Sequence, residues 1–473
     1  MSTLDAINLA VSVLAVAVIA YGLLYVVVLS FLGVRISHKS GRSLAGQEQL
    51  VDAPPAPSNL RGFRFYFLVP ALDEEAVIAN TIEALLRDQA GASIVVVDDG
   101  STDRTPDIVR SYEHTGRVRL LRRELPHARQ GKGRALNAGL ELVRTTVRTL
   151  ESAGLLTRDK VVIGVMDADG QMTPNATAAV AREFASDASV GGLQVAVRIR
   201  NRDNLALEFQ DMEFWALSAV SQFGRVPFGS VSLGGNGQFT RLSALDEVGP
   251  EPWSESLTED LDLGISLAAL GWATTSTPDA YVTQQGVARL RPLLKQRTRW
   301  YQGHMMSIRR LPELTRARFL PTGRFIEMAA YLFIPWCIML PWPLIQVYLT
   351  CWIIGRGADS LIGAAPLAQT LLTLTGWLSL SFAPNVAWGF LYWRRVKEAR
   401  LARAMVMAFA FFLWTYINYA ATYRALGRII LRKNSWTKTS RETEARAPDA
   451  TLLRAETAGR IPVDTKPVGV GAA

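Results

Sequence analysis

Apolar positions in this 473-residue chain fall into two regimes. Long runs occupy residues 6–34, 326–354, 361–393 and 404–430, each near or above the roughly 20 residues that a helix needs to span hydrocarbon. Between the first and second lie much shorter runs: Phe65-Tyr66-Phe67-Leu68-Val69, Ile94-Val95-Val96-Val97 and Val161-Val162-Ile163-Gly164-Val165-Met166. They are continuous rather than alternating, as strands buried on both faces should be. Helical spacing over residues 76–87 and 105–112 separates the strands, which predicts βαβ units and a parallel-rich sheet. The fold class is therefore an α/β, Rossmann-like domain inserted between apolar helices.

The flanks of the runs orient them. No Lys or Arg precedes residue 6, Asp5 does, and Arg35, Lys39 and Arg42 follow. The run is too long for the apolar core of a signal peptide, so residues 1–34 read as an anchor that delivers the next domain to the cytosol. Residues 35–62, with Pro54-Pro55-Ala56-Pro57, read as a linker, and residues 63–288 as the α/β domain. Residues 289–311 form a basic amphipathic pattern expected at a membrane interface, a segment extending to residue 325. Residues 326–433 make a membrane region, and residues 434–473 a tail without periodicity after residue 441.

Crossing counts conflict. If all three late runs cross, the tail lies outside, yet Arg424, Arg428, Arg432, Lys433 and Lys438 place it inside. Pro335, Pro341 and Pro343 mark one run as an irregular helix.

Charge sharpens the membrane reading. The net charge of +9 would suit nucleic acid, but the cations sit beside the apolar runs, at Arg394, Arg395, Lys397, Arg400 and Arg403 after the third of them. Membrane orientation accounts for them, and no nucleic-acid partner is expected. Cys337 and Cys351 lie inside one apolar run and read as small hydrophobes. The four histidines form no metal-ligand spacing.

Chemistry concentrates in four motifs. Asp98-Asp99-Gly100 and Asp167-Ala168-Asp169 each end a strand, and open parallel sheets bind ligands beyond the carboxyl ends of their strands. Asp98-Asp99 alone also reads as an Asx turn, whereas an extended Asp-x-Asp can meet a hard cation and a ribose hydroxyl. Thr258-Glu259-Asp260 opens a helical run, either as a cap with acids at the positive helix end or as the seat of a general base. Gln296, Arg299, Trp300 and Gly303 share one helix face. That face is either a membrane-surface stripe or an amide, a guanidinium suited to diphosphate and an indole for a sugar ring. Gln130-Gly131-Lys132-Gly133 lacks a phosphate-loop ending, though Lys132 can reach a phosphate, and Leu233-Gly234-Gly235-Asn236-Gly237-Gln238 reads as a turn at a pocket rim.

The ordered set VPALDEE (69–75), VDDGSTD (97–103), GKGRALN (131–137), DAD (167–169), TED (258–260) and QRTRW (296–300) resembles membrane-bound family 2 glycosyltransferases of the processive type. Cellulose, chitin, hyaluronan and poly-N-acetylglucosamine synthases belong to that group. The resemblance implies a GT-A domain and transfer from a UDP-sugar, UDP-N-acetylglucosamine or UDP-glucose, with a divalent cation, Mg or Mn. It places Asp98 and Asp99 against the uridine, Lys132 near the nucleotide, and Asp167 and Asp169 at diphosphate and metal, with Asp169 as the principal metal ligand. Asp260 becomes the base beside Glu259, while Gln296, Arg299 and Trp300 hold diphosphate and the acceptor end. Asn434–Arg441 is similar to the gating loop of some relatives.

The expected reaction is a single displacement with inversion that extends a β-linked polysaccharide, coupled to its translocation. A single helix before the domain and few crossings after it imply that a full polymer channel would need self-association or an accessory subunit. Two rivals stand beside it: transfer of one sugar to a lipid acceptor, and a non-catalytic membrane scaffold or export component. The expected location is the plasma or inner membrane, multi-pass, with the domain cytosolic.

Overall fold

The computed structural model describes residues 3–39, 62–361, 363, 366–396 and 399–433. Most of the linker, the tail and the Asn434–Arg441 string lie outside the described residues.

The central sheet grows from the buried runs. Strands β1 (Arg64–Ala71), β2 (Ser93–Asp98), β3 (Val118–Arg122) and β4 (Val161–Val165) are joined through helices α2 (Ile78–Asp88), α3 (Thr105–Arg110) and α4 (Lys132–Ser152). All four are parallel, in the order β3-β2-β1-β4. Short β5 (Gln171–Met172), α5 (Ala176–Ser186), β6 (Val190–Gln194) and β7 (Ala196–Ile199) follow, then α6 (Leu205–Met212) and α7 (Ala219–Arg225), separated by a π-helical turn at Glu213–Ser218. Strand β8 (Gln238–Arg241) enters antiparallel beside β4, and β6 and β9 (Ala273–Thr275) extend that edge after α8 (Leu242–Val248) and α9 (Glu259–Ala269). Strand β10 (Tyr281–Gln284) pairs with β5 and β7 in a second, three-stranded sheet. Helices cover both sheet faces, so the predicted strands are buried throughout: Phe67, Val96 and Ile163 are fully enclosed.

The apolar runs become helices. These are α1 (Thr3–Lys39), α12 (Thr322–Ile334) continued through a π turn at Pro335–Met339 into α13 (Pro341–Leu361), α14 (Leu367–Arg395) and α15 (Leu401–Ile430). The prolines act as expected, since Leu340 N–H reaches back to the Pro335 carbonyl at 3.1 Å. Among the described residues, three segments are long and apolar enough to cross a membrane: Leu9–Ser37, Thr322–Ser360 and Leu401–Ile430.

Between domain and membrane region run α10 (Leu290–Ser307) and α11 (Leu311–Arg316). The face of α10 expected to meet lipid is largely covered by protein: Leu293 and Met305 are buried, and the helix packs against α15 and α12. The spacing that marks an amphipathic helix is the same whether its apolar face meets lipid or another helix.

Helix α1 seats on α7 by close backbone approach. A Cβ on Gly33 would stand 2.1 Å from the Val220 carbonyl oxygen, and one on Gly224 2.1 Å from that of Leu29, the small-residue contact that lets helices pack tightly in lipid. Gly224→Ala is expected to lower stability by about 1–3 kcal/mol through overpacking. Gly355→Ala, where nothing lies within 4 Å, should leave it unchanged. Thermal unfolding of the detergent-solubilised protein checks the pair.

Candidate active site

Strands β2 and β4 both flank β1, with Ala71 level with Asp98 and Leu68 level with Val165, so their acidic ends emerge on one edge of the sheet. Asp98 turns inward: it is fully buried, and its Oδ1 accepts from the Ser101 N–H at 3.1 Å, the Asx turn its sequence allowed. Asp99 faces the cavity that opens there, held by Arg123 at 2.5 Å. Burial raises its carboxyl above the ordinary range, with Arg123 pulling the other way.

Lys132 is the first residue of α4, reached through Gly131 at φ +112°. Its Nζ lies 2.6 Å from Asp167 Oδ1 and 3.9 Å from Glu259 Oε1. Burial opposes the ammonium charge, but Asp167, Glu259 and Asp260 outweigh it and hold the lysine above its usual value. Glu259 and Asp260 open α9. Asp260 is pushed up to about 7, first by burial and then by Glu259, with Lys132 opposing. Glu259 is raised by burial too, against the pull of Lys132 and Arg299. Gly235, at φ +74°, passes between the partners: a Cβ there would lie 2.9 Å from Asp260 Oδ2 and 3.1 Å from Lys132 Nζ.

The capping role open to Thr258 is not taken up: it stands at the N-cap without a side-chain cap bond. Its methyl instead packs on α10, where a Cβ on Gly303 would lie 2.5 Å away. Ser307 Oγ adds a bond to Asp262 Oδ1 at 3.0 Å, so α9 and α10 are docked as one wall. On that wall Gln296, Arg299 and Trp300 line the same cavity as Asp99, Lys132, Asp167, Glu259 and Asp260. Arg297, paired with Glu213 at 2.7 Å, lies 4.9 Å over the Trp300 ring, which meets Phe214 edge-on. Arg299 lines the cavity, and its Nε is buried without a hydrogen-bond partner.

Asp98 and Asp169 do not line the cavity. Asp169 is 1% exposed and accepts from the Gln285 N–H at 2.9 Å, which leaves Asp167 as the cavity-facing member of the Asp-x-Asp pair. Among the described residues no group of three or more His, Cys, Asp or Glu could hold a metal by itself.

Sequence reasoning placed Asn236 in a turn at a pocket rim but missed its bond to Asp167 and the parts of Gln194 and Gln284. Asn236 Oδ1 accepts from the Asp167 N–H at 3.2 Å, its Nδ2 donates to Gln284 Oε1 at 2.8 Å, and Gln194 Nε2 donates to its carbonyl at 2.7 Å. Gly235 and Gly237 both sit at positive φ. The signal was present in Gly234-Gly235-Asn236-Gly237, but alternating glycines mark a loop without saying what it touches.

The model of the family described as glycosyltransferase like family 2 matches residues 63–303. The chain belongs to that family. Among similar proteins, the beta-monoglucosyldiacylglycerol synthase of Synechocystis sp. is 34% identical over 243 residues, 50% of this chain and 47% of the relative. The poly-beta-1,6-N-acetyl-D-glucosamine synthase of Staphylococcus epidermidis is 23% identical over 241 residues, 50% of this chain and 53% of the relative. The chain thus spans about half the length of the curated relatives it matches. The mannosyltransferase PcManGT from Pyrobaculum calidifontis, solved with GDP-Man and Mn2+, aligns over 89% of this chain and 99% of its own at a TM-score of 0.51 and 18% identity. That likeness shows the shared GT-A fold.

A family 2 transferase using Asp260 as its base should lose about 100-fold to 10,000-fold in rate on Asp260→Asn. The base works as the carboxylate, so kcat/KM should rise with pH to a limb near the value of about 7 that this site imposes. Lys132→Gln removes the cation that lowers Asp260 and should move the limb to higher pH; an unmoved limb would count against the assignment. Gly235→Ala, strained by its φ and crowded by both partners, should cut activity without unfolding the domain.

Proposed function

We propose that this chain transfers a sugar from a UDP-sugar, with inversion, to the hydroxyl of an amphiphilic acceptor presented from the membrane. One observation carries this reading. The cavity of about 1040 Å³ that holds Lys132 and Asp260 continues between the apolar helices, past Ile19, Leu23, Val26, Ile338 and Leu380. Its membrane half is lined by residues 19–29 of α1, 331–346 of the α12–α13 segment, 380–388 of α14 and 412–419 of α15. A cavity that runs from the acidic cluster in among apolar helices suits an acceptor with a polar head and an apolar tail. The Synechocystis relative, named for a β-linked glucolipid, supports it.

A second reading is extension of a β-linked polysaccharide, as the first motif resemblance implied and the staphylococcal relative is named for. The aromatic and amide side chains Trp342, Gln346, Asn385, Trp388 and Tyr419 in the cavity favour it, since such groups stack on and bond sugar rings.

The chemistry assigned to this chain is short. The acceptor oxygen forms a bond to the anomeric carbon as the bond to the diphosphate oxygen breaks, and the acceptor proton passes to Asp260. Arg299 stabilises charge on the departing diphosphate through preorganised donors. Lys132 keeps the neighbouring carboxylates tolerable and orients Asp167. Gln296 and Trp300 position the acceptor, and Asp99 bounds the nucleoside side, on the turn that Asp98 closes. A divalent cation, Mg or Mn, would be held by Asp167, the cavity-facing acid of the pair, with Asp169 enclosed behind it; one hard carboxylate without a fuller cage among the described residues suits an ion completed by diphosphate and water. When bound it would supply further charge stabilisation on the leaving group.

The same reading divides the chain into an anchor through residue 34, a linker to 62, a transferase domain at 63–288, the α10 segment to 325 and a membrane region to 433, with the domain cytosolic. Membranes given labelled UDP-glucose or UDP-N-acetylglucosamine should yield one lipid-extractable band. A ladder of lengths would replace the first reading with the second. Chelation should abolish turnover in either case, and full activity in chelator would remove the cation from the scheme.

A further inference from the structure

We infer that His304 selects the acceptor: its imidazole receives a hydrogen bond from a second hydroxyl of the acceptor head, beyond the one that attacks. The head is then a polyol, a lipid-borne sugar ring, and not a lone alcohol. The inference rests on the amphiphilic acceptor proposed above and names the class of its head.

The helix sets the position. His304 stands one turn after Trp300 on α10, so the two rings share a face about 6 Å apart along the axis, and both line the cavity. Gly303 beside it packs on Thr258, two residues before Asp260. On its other side the imidazole meets the ring of Tyr331 on α12, with centroids 4.5 Å apart. His304 is therefore flanked by the segment that carries the base and by an apolar helix, and Thr258, Asp260 and Tyr331 all line the cavity with it.

What already holds the ring sets its chemistry. Nε2 lies 2.9 Å from the Tyr331 carbonyl oxygen. A carbonyl only accepts, so Nε2 carries the proton and Nδ1 of the neutral ring is left as an acceptor. Among the described residues no group bonds Nδ1. Burial lowers the imidazole to about 4, with the Arg225 charge adding to it against the Tyr331 carbonyl, so the ring is uncharged at neutral pH. Such a nitrogen takes a hydroxyl proton and offers nothing to ester, ether or ionised phosphate oxygens, which only accept.

The residue that fixes the tautomer is itself framed. Arg225 of α7 lies 3.7 Å over the Tyr331 ring and pairs with Glu327 of α12 at 2.9 Å, with both charged side chains 5% exposed. Tyr25 of α1 donates to Glu327 at 2.9 Å and accepts from Arg225. These bonds join α1, α7 and α12 behind Tyr331, and the two charges are matched within the protein. A fixed carbonyl keeps one nitrogen occupied and the other available, which is what discrimination between a hydroxyl and an acceptor-only oxygen requires.

His304→Gln separates the two nitrogens, because its amide still reaches the Tyr331 carbonyl as Nε2 does but puts no acceptor in the place of Nδ1. With hexyl β-glucoside as acceptor and UDP-glucose as donor, H304Q should raise the acceptor KM about 5-fold to 10-fold, the worth of one hydrogen bond, and leave the UDP-glucose KM unchanged. With dioctanoylglycerol, which has one hydroxyl, the two enzymes should have the same acceptor KM. An unchanged KM for hexyl β-glucoside, an equal loss with dioctanoylglycerol, or a raised UDP-glucose KM overturns the inference. Mono-deoxy hexyl β-glucosides test it on the unaltered enzyme. At least one that still accepts sugar should bind more weakly than the parent, and that penalty should vanish in H304Q; no such analogue, or a penalty undiminished in H304Q, overturns it. Equilibrium binding of tritiated hexyl β-glucoside to the protein in lipid nanodiscs repeats the comparison without turnover. Absence of transfer from every UDP-sugar would end the proposed reaction, whereas this inference falls only if the wild type and H304Q bind the glucoside equally or the wild type does not bind it.

Discussion

The site depends on one ammonium group. Asp167, Glu259 and Asp260 come from two separate elements and would repel one another in a cleft that excludes much of the water. Lys132 Nζ, 2.6 Å from one of them and 3.9 Å from the next, is the charge that lets them share it. Its hold is partial. Asp260 stays raised to about 7, because burial and Glu259 outweigh what Lys132 returns. That is the condition a general base needs: basic enough to take a proton, yet ionised at neutral pH in a substantial fraction of molecules.

The second constraint is the wall that lines the cavity beside Asp260. Helix α10 carries Gln296, Arg299 and Trp300, and its placement is fixed by Gly303 against Thr258, Ser307 on Asp262 and Arg297 on Glu213. These ties run to α9 on one side and to the π turn after α6 on the other. The same turn is held by Trp414 and Asn418 of α15. Helices α9 and α10, the π turn and α15 are therefore tied to one another through side-chain bonds.

Cavity shape adds what motifs leave open. Relatives named for a glucolipid and for a polysaccharide each match about half of this chain. The acceptor is where the two would part, and the cavity open to it is lined by α1, the α12–α13 segment, α14 and α15.

The sequence alone carried the local information: the strands at 65–69, 94–97 and 161–166, the helix opened by Glu259, and the face shared by Gln296, Arg299 and Trp300. Each follows from periodicity or from an end signal acting over a few residues. Even the Asx turn at Asp98 was legible, since its bond spans three positions. What the tertiary structure decided is long-range. It separated Asp167 from Asp169, which alternation alone treats as equivalent, by pairing one with Lys132 and enclosing the other against Gln285. It gave Asn236 a role behind Asp167, and it tied an apolar stretch with the length of a membrane span to α6 near one end and to α10 near the other. Hydropathy measures what a segment would gain by leaving water. Whether lipid or protein takes its place is settled by partners that lie far away in the chain and meet only on folding.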